Sequence, residues 1–108
     1  MLLKINRVNK KGIDLLFKEG KSINSLNLNF KFILNFKTGA PQISFIAPKG
    51  IAKLAVKRNL LRRLGYRVLG SHIKEFPAGL IGVFIFKKYE ESITTLENEI
   101  KNVVNKIN

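Results

Sequence analysis

Residues Leu26 to Phe36 alternate without a break, and this limits the fold more than any other feature of the chain. Leu26, Leu28, Phe30, Phe32, Leu34 and Phe36 fall on one side, and Asn27, Asn29, Lys31 and Asn35 on the other. A period of two sends successive side chains to opposite faces of a sheet, so the segment predicts a half-buried strand. Leu80 to Phe86 is instead a continuous apolar run, the pattern of a central strand covered on both faces.

Three segments have the period of helices. Lys10 to Glu19 predicts a short helix with Ile13, Leu16 and Phe17 on one face and Gly20 as its stop. From Ile51 to Leu69, Leu54, Leu61, Leu64 and Val68 form a stripe roughly 80° wide at about 100° per residue. The last helix carries Ile93, Leu96, Ile100, Val103, Val104 and Ile107, with Glu90 and Glu91 before it and Lys106 near its end, as the helix dipole favours. Thr38 to Pro41 marks a turn, and Gln42 to Ala47 is a second strand expected to close a hairpin with the first. Phe76 to Gly79 is a loop. The expected order is α-β-β-(β)-α-β-α, with one further short strand in brackets. It forms an α/β (α+β) two-layer sandwich across residues 1–108, expected as a single domain.

Charge narrows the function. The formal net charge is +13, from 20 Lys and Arg against seven Asp and Glu. So large an imbalance in so small a domain points to a polyanion. Between Gly20 and Lys74 no acidic residue occurs, whereas a surface shaped only for solubility mixes both signs. Cysteine is absent, which excludes disulfides and thiolate metal sites. Apolar runs such as Ala78 to Phe86 are too short to cross a bilayer. Met1-Leu2-Leu3-Lys4 turns polar at once, so the expected compartment is the cytoplasm. His72, in a Gly-Ser-His loop with no obvious acidic partner, reads as an ordinary surface histidine. The carboxylates sit mostly on the last helix and read as surface charge. Neither a phosphate-cradling glycine loop nor a metal-ligand cluster is evident, which argues against an autonomous enzyme.

The informative stretch runs from Lys49 to Arg67. It holds seven cations in nineteen residues with no acid, so i,i+4 ion pairs cannot relieve their repulsion and an external anion would. Asn59, inside the arginine arc, adds both a donor and an acceptor. Ala52-Lys53-Leu54-Ala55-Val56-Lys57-Arg58-Asn59-Leu60-Leu61-Arg62-Arg63 with Arg67 resembles the signature of the bacterial ribonuclease P protein family. That signature runs Lys-x-Ala-Val-x-Arg-Asn-Arg-x-(Lys/Arg)-Arg-x-x-(Arg). Ile46-Ala47-Pro48-Lys49 stands where the family has a strand running into a basic loop. Phe17-Lys18-Glu19-Gly20-Lys21-Ser22 is similar to the family's first-helix ending, and Phe84-Ile85-Phe86-Lys87-Lys88 to its last strand and basic pair. Leu60 departs from the pattern at the second Arg of the Arg-Asn-Arg box. Gly12-Ile13 replaces a usual Asp-Phe pair, and Gly65 within the basic helix costs about 1 kcal/mol against Ala.

The resemblance implies a left-handed βαβ crossover, contrary to the usual hand. It also implies a protein subunit that binds a catalytic RNA and the 5′ leader of precursor tRNA, assisting endonucleolytic leader removal without catalysing it. Lys53, Lys57, Arg58, Asn59, Arg62, Arg63 and Arg67 are expected to bind the RNA subunit by phosphate neutralisation. Phe17, Lys31, Lys49, Lys87 and Lys88 are expected at the leader, with Phe17 as a stacking face; a core aromatic is the competing reading of Phe17, and an ordinary polar loop that of Lys87 and Lys88. Magnesium is the implied cofactor, held mainly by the RNA and substrate, with no certain metal ligand in the protein. Neither an obligate protein partner nor a membrane is expected. A structural, ribosomal-type RNA-binding protein of related fold is the alternative. A peripheral membrane protein is a third reading, disfavoured because the basic helix has no wide apolar face to spare.

Overall fold

A computed structural model describes residues 8–34 and 39–107. Helix α1 spans Lys10–Glu19. Strands β1 (Lys21–Asn24), β2 (Leu28–Ile33) and β3 (Gln42–Ile46) follow, then helix α2 (Ala55–Gly70). A 3₁₀ turn at Ile73–Glu75, strand β4 (Ile81–Phe86) and helix α3 (Ile93–Ile107) complete the order. This is the expected α+β sequence of elements, and β1 is the further short strand.

The four strands form one sheet in the order β1-β2-β4-β3. β2 pairs antiparallel with β1 and with β4, while β3 pairs parallel with β4. The hairpin expected between the second strand and the alternating one is therefore not made, since β4 lies between them. Its composition explains the insertion. Ile81, Val83, Phe84 and Phe86 are all at or below 1% exposure, and only an interior strand with cover on both faces buries both sets. Gly39, at φ 102°, marks the expected turn before β3; Thr38, Asn35 and Phe36 lie outside the described residues.

The alternating segment is also shorter than expected. Ser25 N–H donates to the Leu28 carbonyl at 2.8 Å, closing a tight turn between β1 and β2. Leu26 therefore sits at a turn tip, 68% exposed, and Leu34 follows the strand at 40%. Leu28, Phe30 and Phe32 keep the predicted apolar face.

Helices cover both sides of the sheet, so the expected two layers become three. On one face Phe30, Phe45, Phe84 and Phe86 meet Leu61, Val68 and Leu69 of α2 and Leu96, Ile100 and Val103 of α3. The Phe30 and Phe84 rings lie 4.3 Å apart, and Phe45 stacks on Phe84 at 5.1 Å. On the other face α1 lays Leu16 and half-buried Ile13 against Ile81 and Val83. Each large side chain so buried stabilises the fold by roughly 1.5–3 kcal/mol.

Helix α2 begins at Ala55, later than the expected Ile51, with Leu54 at the capping position and 63% exposed. Its buried stripe is Leu61, Gly65, Val68 and Leu69, with Leu64 half-buried beside it. Leu54 does not belong to that stripe. Gly65 is no defect, because a Cβ there would lie 2.6 Å from two ring carbons of Phe45. The glycine lets the helix approach β3 closely. At α3, Ile93, expected in the apolar stripe, is 41% exposed, whereas Leu96, Ile100, Val103 and Val104 are buried.

Candidate nucleic-acid interface

The buried stripe of α2 leaves its cations facing out. Lys53, Lys57, Asn59, Arg63 and Arg67 are exposed, and Arg58 and Arg62 are half-buried. All seven expected RNA-contact residues thus lie on or just before one helix, held in place from two directions. Gly65 admits Phe45 against the helix, and Tyr66 Oη accepts a hydrogen bond from the Phe45 N–H at 3.1 Å. The Tyr66 ring also meets Phe45 edge-on, with centroids 5.2 Å apart. Tyr66 thereby satisfies a backbone donor of β3, the edge strand that α2 lies against.

The seven residues are not equivalent. Arg58 turns back, donating from Nη1 to the Ala52 carbonyl at 2.9 Å and the Lys53 carbonyl at 2.8 Å. It therefore fastens the loop before α2 as well as adding charge. Arg62 donates to Asn59 Oδ1. Salt bridges among the described residues involve His72, Glu75, Glu97 and Lys101.

The expected leader residues fall in two groups. Phe17 is 52% exposed on α1, so the core reading of this residue does not hold, and Lys31 Nζ lies 5.8 Å from its ring centre. Lys31 also donates to Ser22 Oγ at 3.1 Å. Lys49 leaves β3, and Lys87 and Lys88 leave β4. Because those strands are parallel with Ile46 opposite Ile85, both basic loops emerge from the same end of the sheet. Lys87 is partly occupied, donating from Nζ to the Ser25 carbonyl at 2.8 Å.

Several polar residues gain roles that periodicity did not indicate. Asn24 and Asn29 are cross-strand partners, with Asn29 Nδ2 donating to Asn24 Oδ1 at 2.6 Å. Like Ser22, they stand on the Lys31 face of the sheet, which α1 covers only in part. Asn27, expected on the hydrophilic side, is buried against Glu99. Glu99 accepts from Ser25 Oγ at 2.6 Å, from Asn27 N at 2.7 Å and from Asn27 Nδ2 at 2.8 Å. It is a buried anchor for the β1–β2 turn, not the surface charge expected of it.

His72 also overturns its sequence reading. It is 8% exposed, its Nδ1 meets Glu75 and its Nε2 lies 3.1 Å from Glu97 on α3. Burial alone would lower its pKa, but the hydrogen bonds and charges of Glu75 and Glu97 together raise it above the ordinary 6.5. The His72 hydrogen bond, helped by Lys101, correspondingly lowers Glu97. Glu75, three residues on, stood in the sequence as a possible partner, whereas Glu97 lies far along the chain and is brought in only by the fold. Among the described residues no group of three or more His, Cys, Asp or Glu is placed to hold a metal ion. The donor set therefore does not fit a magnesium ion held by this protein alone. No described helix is long and apolar enough to cross a membrane.

Residues 4–108 match the family model described as Ribonuclease P. The chain belongs to the ribonuclease P protein family. Its fold is similar to that of the RNase P protein from Thermotoga maritima, with a TM-score of 0.82 at 21% identity, covering 94% of this chain and 97% of that one. It is also similar to the Staphylococcus aureus RNase P protein, with a TM-score of 0.78 at 15% identity and 94% of each chain covered. A search of curated proteins found no match. Family membership over nearly the whole length makes the chain a subunit of ribonuclease P, acting in tRNA processing, and sets aside the ribosomal-type alternative.

Proposed function

We propose that this chain is the non-catalytic protein subunit of ribonuclease P, with the RNA subunit carrying out leader cleavage. Residues 1–108 act as one RNA-binding domain in the cytoplasm. Lys53, Lys57, Arg58, Asn59, Arg62, Arg63 and Arg67 bind the RNA subunit by displacing its counterions. Phe17, Lys31, Lys49, Lys87 and Lys88 hold the single-stranded 5′ leader of precursor tRNA, Phe17 by stacking and the lysines along the backbone. Magnesium sits on RNA and substrate phosphates, where the donors suit it.

The observation that carries this reading is the cationic face of α2, free of interleaved acids, in a chain of this family. The test is cleavage of precursor tRNA by a bacterial ribonuclease P RNA at low magnesium, with and without the protein. Stimulation that fades as the 5′ leader is shortened supports both assignments. Absence of stimulation with this chain's own RNA refutes them.

A further inference from the structure

The outward face of α2 is not purely cationic. At about 100° per residue, the buried residues Leu61, Gly65, Val68 and Leu69 share one side of the helix. The opposite side carries Val56, Asn59, Leu60, Arg63 and Arg67. Val56 and Leu60 stand one turn apart there, and Arg63 and Arg67 continue the same face toward the C-terminus. Val56 is 63% exposed and Leu60 is half-buried. Neither packs against a core cluster of the described residues. The fold itself therefore gives no reason for two branched apolar side chains on the face turned away from the core.

The neighbours of this pair restrict what can cover it. Lys57, Arg63 and Arg67 border it, and no acid occurs on the helix, so charge complementarity selects a polyanion. Phosphates satisfy the cations but offer nothing to Val56 and Leu60. The apolar surfaces of a nucleic acid are the faces of its bases and the C–H faces of its sugars. Base faces stack on aromatic rings, and Val56 and Leu60 have none. In paired RNA the bases are stacked away and the major groove is too narrow for side chains. The wide, shallow minor groove presents riboses with their 2′-hydroxyls. We propose that Val56 and Leu60 pack on ribose faces in the minor groove of a paired RNA segment, while Lys57, Arg63 and Arg67 reach the flanking phosphates. Asn59 Oδ1 accepts from Arg62, which orients the Asn59 NH₂ group to donate to a 2′-hydroxyl oxygen. The inference rests on α2 being an RNA-binding face, and adds to that charge-driven contact one that reads the sugar.

The test is filter binding of the full chain, across a salt series, to an RNA hairpin, to the DNA hairpin of the same sequence and to a bacterial ribonuclease P RNA. The RNA hairpin should bind at least about tenfold tighter than the DNA hairpin. Val56→Ala and Leu60→Ala should each weaken RNA binding roughly three- to tenfold at every salt concentration. Both should narrow the preference for RNA over DNA and leave the slope of log K against log salt unchanged, since no phosphate contact is lost. Leu60→Met keeps the apolar bulk and should bind as the wild type does. Because Leu60 is half-buried, Tm is measured for each variant, and the exposed Val56 supplies a reading that does not depend on packing. Equal binding of the two hairpins would make this a phosphate surface only and overturn the inference. So would alanine variants that bind like the wild type, or a changed salt slope in either of them. Binding of the ribonuclease P RNA by the wild type separates the two levels. If it persists in those cases, the sugar contact is wrong and the RNA face stands; if it is absent, the RNA face itself is wrong.

Discussion

Replacing Gly65 by Ala should destabilise this protein, although the same change in an exposed helix interior gains about 1 kcal/mol. The new Cβ would lie 2.6 Å from Cδ1 and Cε1 of Phe45 and 2.9 Å from its Cγ. Carbon atoms in contact prefer about 3.5–4.0 Å, so ring and helix would have to separate by roughly 1 Å. Phe45 cannot turn aside. Phe84 stacks on it at 5.1 Å, Tyr66 meets it at 5.2 Å, and Phe86 lies at 5.9 Å. Overpacking of this kind costs about 1–3 kcal/mol. Moving α2 outward also stretches the Tyr66–Phe45 hydrogen bond, worth about 1 kcal/mol. Set against the helical gain, the net loss is about 1–3 kcal/mol, which lowers Tm by at least about 4 °C in a domain of this size. Urea and thermal unfolding read the loss directly. The mechanism is checked by repeating the change with Phe45→Leu, where the two substitutions should fall short of additivity by at least about 0.5 kcal/mol. A rise in Tm for Gly65→Ala alone, or strict additivity in the double variant, would refute the close-approach argument.

Other substitutions test the polar network and the cationic face. Glu99→Ala leaves the buried Asn27 N–H without its acceptor, and should cost about 3 kcal/mol or more in urea unfolding; an unchanged midpoint contradicts the anchoring of the β1–β2 turn. The raised pKa of His72 means that its cluster contributes fully below about pH 6.5 and loses that contribution as pH rises through the raised value. Stability measured from pH 5.5 to 8.5 should therefore fall more steeply in the wild type than in His72→Asn, and parallel curves argue against the clamp. Arg62→Glu combined with Arg63→Glu should abolish binding of the RNA subunit at unchanged Tm, as measured by filter binding and thermal unfolding. Arg58→Ala should instead lower stability by about 1 kcal/mol as well, because it also unfastens Ala52 and Lys53. Removing one phosphate contact, as in Arg67→Ala, should reduce the slope of log K against log salt by about one.

The elements were legible because they follow from short-range periods. Helix α1 falls on its predicted bounds, and β4 takes the interior position that its unbroken apolar run implies. What the period could not carry was pairing. The turn before β3 suggested a hairpin, but whether two neighbours pair depends on what else competes for the edge between them. β4, apolar on both faces, has more to gain from the interior than β3 has from a local partner. The same logic explains Gly65. By propensity alone it weakens a helix, and only the Phe45 ring, twenty residues away on another element, shows why no larger residue fits.

Charge and polarity divide in the same way. The missing acids between Gly20 and Lys74 are a property of composition, so no folding was needed to see the cationic field. The residues that set its geometry were invisible for the opposite reason. Ser25 and Glu99 are 74 positions apart, Phe45 and Tyr66 are 21 apart, and His72 and Glu97 are 25 apart. Each pair joins a residue that reads as ordinary surface to one that reads as core or loop, and neither half has a periodic signature. Arg58 shows the consequence for function. In the sequence it is one of seven equal cations; in the fold its hydrogen bonds to the Ala52 and Lys53 carbonyls make it the tie between that loop and α2. A charge reversal there would disturb structure and binding together, so Arg62 and Arg63 are the sites at which electrostatic attraction to RNA can be separated from the integrity of the fold.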